Sequence, residues 1–156
     1  MKVSELMTKS VITVHESTPV AEIARLMLAH NVSGIPVMGS ENRLVGIVTE
    51  GDLVIQNANV HFPTFLEILD IRIPLSSNRQ FEEDLRRALG TTAADTMTSE
   101  VLTVGPNDDV SEAATLMADK RVNPVPVLDG ERLVGIVSRS DIIRHILAEH
   151  ENRNKE

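Results

Sequence analysis

The chain repeats itself. When Met7-Thr8 is laid over Met97-Thr98, Val11 falls on Val101, Thr13-Val14 on Thr103-Val104, and Val20 on Val110. Glu22 then meets Glu112, Leu26-Met27 meets Leu116-Met117, Val32 meets Val122, and Pro36-Val37 meets Pro126-Val127. One residue drops out in the next turn. Leu44-Val45-Gly46-Ile47-Val48 then coincides with Leu133-Val134-Gly135-Ile136-Val137, Thr49 with Ser138, and Asp52 with Asp141. A match this long with a single deletion marks a duplication, so any fold for one copy must also suit the other.

Each copy reads as β-α-β-β-α. A β-prone run (Val11–Val14; Val101–Val104) precedes a helix start, with Thr18 before Pro19 in the first copy and Asp108-Asp109 in the second. Val20, Ile23, Ala24 and Met27 recur at helical spacing, as do Val110, Ala113, Ala114 and Met117, and both stripes read as core. A short apolar strand follows (Ile35–Met38; Val125–Leu128), then a turn (Gly39–Asn42; Asp129-Gly130), where Asp-Gly is a hairpin signal. A second strand (Leu44–Val48; Leu133–Val137) leads to a closing helix near Gly51 or Ser140. Roughly 50 residues bury little core alone, so the copies are expected to pack on each other. The expected organisation is a first motif over residues 1–56, an insert over 57–93, a second motif over 94–150, and a polar tail over 151–156.

The insert holds all three phenylalanines, Phe62, Phe65 and Phe81. Its spacing predicts a short helix over Pro63 to Asp70 and an amphipathic one over Arg79 to Leu89. An ordered linker covering the flank of the module is the plainer reading, and a partner or oligomer contact is the other. With no Trp or Tyr, the core must be aliphatic. A net charge of −8 argues against a general surface for nucleic acid or anionic membrane. No cysteine is present, which excludes disulfides, thiolate metal sites and a cysteine nucleophile. No apolar run approaches the roughly 20 residues of a membrane span, and the N-terminus has no apolar signal stretch, so a cytoplasmic location is expected.

The most informative stretch is Gly-Ile-Val-Thr/Ser-x-x-Asp, at Gly46 to Asp52 and Gly135 to Asp141. A strand ends at a hydroxyl, and a carboxylate follows three residues later at a helix start. One reading is capping: Thr49 or Ser138 as the cap, with the acid in the first turn. From spacing alone this weighs more. The other reading uses the same geometry for a ligand. A hydroxyl and helix-terminal amides hold phosphate, while the carboxylate accepts the two hydroxyls of a ribose.

The doubled pattern M-T, T-V, helix, h-P-V and G-I-V-[ST]-x-x-D resembles the CBS domain pair, named from cystathionine β-synthase and also called the Bateman module. The resemblance covers residues 3–56 and 94–148. It implies an α/β (α+β) fold of tandem β-α-β-β-α motifs joined with pseudo-two-fold symmetry, and two clefts that take AMP, ADP, ATP, S-adenosylmethionine or related adenosyl ligands, or nothing. It also implies a disc-like homodimer. Carried over by position, one cleft uses Thr8, Ile12, Val32 and Ser33 with Asn123, Ile136, Ser138 and Asp141. The other uses Thr98, Leu102, Val122 and Asn123 with Ser33, Ile47, Thr49 and Asp52. Ile35, Pro36 and Pro124 stand at the adjoining strand entries. Apolar faces flank the adenine, Asp141 or Asp52 takes the ribose, and Ser138 or Thr49 takes phosphate. Lys9 and Arg139 are the candidate cations, with solvated surface charge as the alternative. Asn123-Pro124 stands where the first copy has Ser33-Gly34, so the clefts are not equivalent.

The five histidines, His15, His30, His61, His145 and His150, show no metal-binding spacing, and no nucleophile elbow, P-loop or GxGxxG occurs. The expectation is a non-enzymatic regulatory sensor with no obligatory cofactor and no metal, relaying its signal through a homodimer or an effector protein. A ligand-free dimerisation or scaffold module of the same fold is the alternative.

Overall fold

The structure is a computed structural model, and the residues it describes are 1–57 and 91–153. The phenylalanines and both helices expected in the insert fall outside them. Helix α1 (Val3–Leu6) opens the chain, followed by β1 (Val14–His15), α2 (Val20–His30), β2 (Gly34–Met38), a 3-10 turn at Ser40–Asn42, β3 (Leu44–Thr49) and α3 (Glu50–Asn57). The second copy gives α4 (Ala93–Thr96), α5 (Val110–Asp119), β4 (Val125–Asp129), β5 (Arg132–Val137) and α6 (Arg139–Arg153). The fold is mixed α/β with small sheets, in the expected order.

The first three strands lie in the order β1-β2-β3, with β1 parallel to β2 and Val14 opposite Val37. In the second copy β4 and β5 form an antiparallel hairpin, Val125 opposite Val137, and Gly130 makes its turn at φ 62°. That left-handed conformation costs glycine little. The first strands are shorter than expected. Pairing begins only at Val14 in copy one and shrinks to a single parallel bridge, Val104 with Val127, in copy two. Val11, Ile12 and Val101 stay half-exposed outside these ladders, so β propensity there is not matched by burial.

Helix ends also differ in detail. Pro19 is itself the cap residue of α2, while the Thr18 hydroxyl accepts from the His15 N–H in the preceding turn. Asp109 caps α5 as expected, accepting from Ser111 N–H at 2.9 Å, and this bond draws its carboxyl down to about 2. Asp108 instead closes the preceding turn, accepting from Gly105 N–H at 2.6 Å.

The chain divides into two compact units. One comprises Met1–Ile12, Gly39–Val45 and Glu100–Glu156; the other comprises Thr13–Met38 and Gly46–Ser99. Each repeat's front segment thus belongs to the unit built on the other repeat. In the first unit α1 packs against α5, α6 and β5. Val3 joins Ala113, Met117, Val125, Val127 and Val137 in the core. In the second, α4 packs against α2 and α3, and Ile23, Ile35, Val37, Val48 and Ala93 are fully buried. Neither α1 nor α4 was anticipated. The legible signal was Thr92-x-x-Asp95, a capping box in which one Asp95 oxygen accepts from Thr92 N–H at 2.9 Å and its hydroxyl at 3.0 Å.

Each front segment is anchored the same way. Thr8 and Ile136 exchange backbone hydrogen bonds of 2.9 and 3.0 Å, as do Thr98 and Ile47 in the other unit. The preceding methionine lies across the strand glycine. A methyl group on Gly135 would sit 2.8 Å from Met7 Cγ and 3.1 Å from its Cβ; one on Gly46 would sit 2.7 and 3.0 Å from the same atoms of Met97. The neighbouring backbone bridge holds that Cβ in place, so the methionine cannot yield by a rotamer change alone. Gly135→Ala is expected to cost roughly 1–3 kcal/mol. Urea unfolding followed by circular dichroism should show that Met7→Ala relieves part of this cost, with a coupling of about 0.5 kcal/mol or more. Additive effects would contradict the overlap.

Candidate functional site

The two hydroxyl–acid pairs close into the same local structure. In the second repeat Asp141 Oδ2 accepts from Ser138 N–H at 2.8 Å and from its hydroxyl at 2.7 Å. The Asp141 N–H reaches back to Ser138 Oγ at 3.3 Å. In the first repeat Asp52 Oδ2 accepts from Thr49 N–H at 2.8 Å and Thr49 Oγ1 at 3.0 Å, with Asp52 N–H to Thr49 Oγ1 at 3.4 Å. Both are reciprocal capping arrangements, and Thr92-Asp95 makes a capping box at the start of α4. Capping is therefore real at both positions. It engages Oδ2 of each acid.

The acids differ beyond that shared bond. Asp141 is only 6% exposed, the one polar residue among the fully buried set of the described residues. Its Oδ1 accepts from Arg144 Nη1 at 3.0 Å, and Arg144 is 74% exposed. Asp52 is half-buried, and among the described residues nothing pairs with its Oδ1. Arg144 was missed in the sequence, although it stands three residues after Asp141, one turn along the same helix face.

The departure at Asn123-Pro124 has a structural counterpart. The first N–H of α6, on Arg139, donates to Asn123 Oδ1 at 2.9 Å. The matching N–H of α3, on Glu50, donates to the Ser33 backbone carbonyl at 2.9 Å. A side-chain amide thus does in the second repeat what the main chain does in the first. The Asn123–Pro124 bond is cis.

The remaining expected residues divide between the units. Thr8, Lys9, Ile12, Leu102, Val122, Asn123, Pro124, Ile136, Ser138, Arg139 and Asp141 belong to the first; Val32, Ser33, Ile35, Pro36, Ile47, Thr49, Asp52 and Thr98 belong to the second. Within the first unit the backbone bridge joins Thr8 to Ile136, and Asn123 meets Arg139 at the start of α6. Within the second, Thr98 meets Ile47, and Ser33 meets Glu50 beside Thr49. Ile35, Pro36 and Pro124 are buried, so their side chains serve the core and offer a ligand no surface. Of the two candidate cations, Lys9 is exposed. Arg139 is exposed too, but its Nη2 donates to the Met117 carbonyl at 3.3 Å, which ties the guanidinium to the end of α5. Among the described residues no cluster of His, Asp or Glu is suited to a metal ion, and no helix is long and apolar enough to cross a membrane.

A two-repeat α/β chain with this strand-end signature defines a class of paired regulatory modules. The CBS domain family model matches residues 3–56 and 93–148, and the chain belongs to the CBS domain family. It is 31% identical over 155 residues to the uncharacterized protein MJ1426 of Methanocaldococcus jannaschii, covering 94% of this chain and 92% of that one. It is also 27% identical over 143 residues to the L-aspartate semialdehyde sulfurtransferase of the same organism, but there it covers 91% of this chain and only 22% of the enzyme. Among solved structures it is similar to the CBS domain pair of protein MJ0100 in complex with 5′-methylthioadenosine and S-adenosyl-L-methionine. That likeness has a TM-score of 0.73 and 25% identity, covering 96% of this chain and 98% of that one.

The burial difference sets an order of stability. Asp141→Ala removes the acceptor for three hydrogen bonds, one of them from exposed Arg144, and leaves a half-buried Ser138 N–H and hydroxyl unpaired, at a cost of about 1–3 kcal/mol. Asp52→Ala loses only the two Thr49 bonds, at a more open site, and should cost less, about 0.5–2 kcal/mol. Urea unfolding of both variants checks this, and a larger loss for Asp52→Ala would contradict it.

Proposed function

We propose that this chain is a regulatory sensor that takes an adenosyl ligand (AMP, ADP, ATP or S-adenosylmethionine) at its two hydroxyl–acid strand ends. It catalyses no reaction itself. The observation that carries the reading is the repeated arrangement of Thr49 with Asp52 and Ser138 with Asp141. Each carboxylate is fixed at the start of a helix through Oδ2, by a hydroxyl and a backbone N–H. A carboxylate held in that way can accept the vicinal hydroxyls of a ribose, and the adjoining hydroxyl and helix terminus suit an anionic group. The complex of the MJ0100 domain pair with two adenosyl compounds supports this choice of ligand class.

The signal passes through assembly. On α6, Ile143, Ile146 and Leu147 are 57%, 58% and 57% exposed and share one helix face at i, i+3, i+4 spacing. An apolar stripe of this kind suits a second copy of the chain or an effector protein. The same stripe is what favours the second reading, a ligand-free dimerisation module.

Calorimetric titration separates the two. The expected result is tighter binding of ATP, ADP, AMP or S-adenosylmethionine than of GTP. Asp52→Ala and Asp141→Ala should each weaken one binding event by about 1.5–3 kcal/mol, the range for hydrogen bonds to a charged acceptor. Folded protein that gives no heat with any adenosyl compound would favour the dimerisation module. For assembly, light scattering at low micromolar concentration should report about twice the 17.1 kDa chain mass, and Ile146→Glu should return that mass to the monomer. A wild-type monomer would contradict the interface.

A further inference from the structure

Resting on the adenosyl-sensor reading, we propose that Arg144 makes the two acids unequal: Asp52 is the stronger ribose acceptor, and Arg144 competes with the ligand for Asp141. Both acids spend Oδ2 on their own hydroxyl and N–H, so Oδ1 is the oxygen left for a second hydroxyl. On Asp141 that oxygen already accepts from the Arg144 guanidinium at 3.0 Å. Either bond has an ionised acceptor, but the guanidinium also carries a positive charge that attracts the carboxylate, an attraction the neutral ribose hydroxyl lacks. The diol must therefore displace or share with the arginine.

Among the described residues the first repeat has no counterpart of this competitor. The deletion-corrected alignment places Ile55 at the position of Arg144, and α3, Glu-Gly-Asp-Leu-Val-Ile-Gln-Asn, contains no Lys, Arg or His. No described residue pairs with Asp52 Oδ1, and Asp52 is more open than Asp141. Because Arg144 is 74% exposed, solvent screens its pair with Asp141. The competition is correspondingly modest: it grades the two sites and does not close one.

The test titrates the full chain with S-adenosylmethionine and with ATP by calorimetry, using variants shown by circular dichroism to be folded. In wild-type protein the tighter event is expected to disappear in Asp52→Ala and to persist in Asp141→Ala. Adding Arg144→Ile to Asp52→Ala should tighten the remaining event by about two- to five-fold, the span set by an exposed ion pair. Unchanged affinity after Arg144→Ile would overturn the competition. Weaker affinity would overturn it too, since Arg144 would then be holding the ligand. Wild-type protein that binds neither compound would overturn the sensor reading itself, a result distinct from either of those.

Discussion

In each unit a methionine crosses a strand glycine so closely that no side chain fits between them, and a backbone bridge on the next residue locks the crossing. Met7 over Gly135 with Thr8 bridged to Ile136, and Met97 over Gly46 with Thr98 bridged to Ile47, are two copies of one joint. Much else follows from it. The joint brings a short helix, α1 or α4, onto the core of a unit whose strands come from the other repeat. It also fixes the strand just before the hydroxyl, so that Thr49 and Ser138 lie two residues beyond a bridged isoleucine. The position of the candidate site is set by this packing before any ligand chemistry enters.

The order of elements was legible because hydrophobic spacing and turn residues survive duplication: β2, β3, β4 and β5 match their expected ranges to within a residue at either end. The misses have local causes. Strands at Val11 and Val101 were expected from β-branched residues, but those side chains stay half-exposed and the ladder has nothing to pair there beyond Val14 and Val104. Helices of four residues, such as α1 and α4, leave no periodic stripe, and only the Thr92-x-x-Asp95 box betrays one of them. The membership of each front segment in the opposite unit is a long-range packing outcome, which no window of the sequence records.

The site was legible in kind and not in balance. The hydroxyl–acid pairs were found by their repetition, and both potential uses of that spacing had to be kept. Capping consumes Oδ2 of each acid, and only the second oxygen, Oδ1, distinguishes the two sites. What spacing could not reveal is the state of that second oxygen, which in Asp141 is set by a residue one turn further along the helix, Arg144. Likewise Arg139, a candidate cation for phosphate with solvated surface charge as the alternative, donates to the Met117 carbonyl by a contact 22 residues back in the chain.

The central claim is that the two acids hold an adenosyl ligand. Equilibrium dialysis of S-adenosylmethionine tests it most directly, read by adenine absorbance against a chain that has no Trp or Tyr. Ligand retained by the wild-type protein and lost from a folded Asp52→Ala/Asp141→Ala double variant is the result the account predicts. Equal retention by the double variant would contradict it.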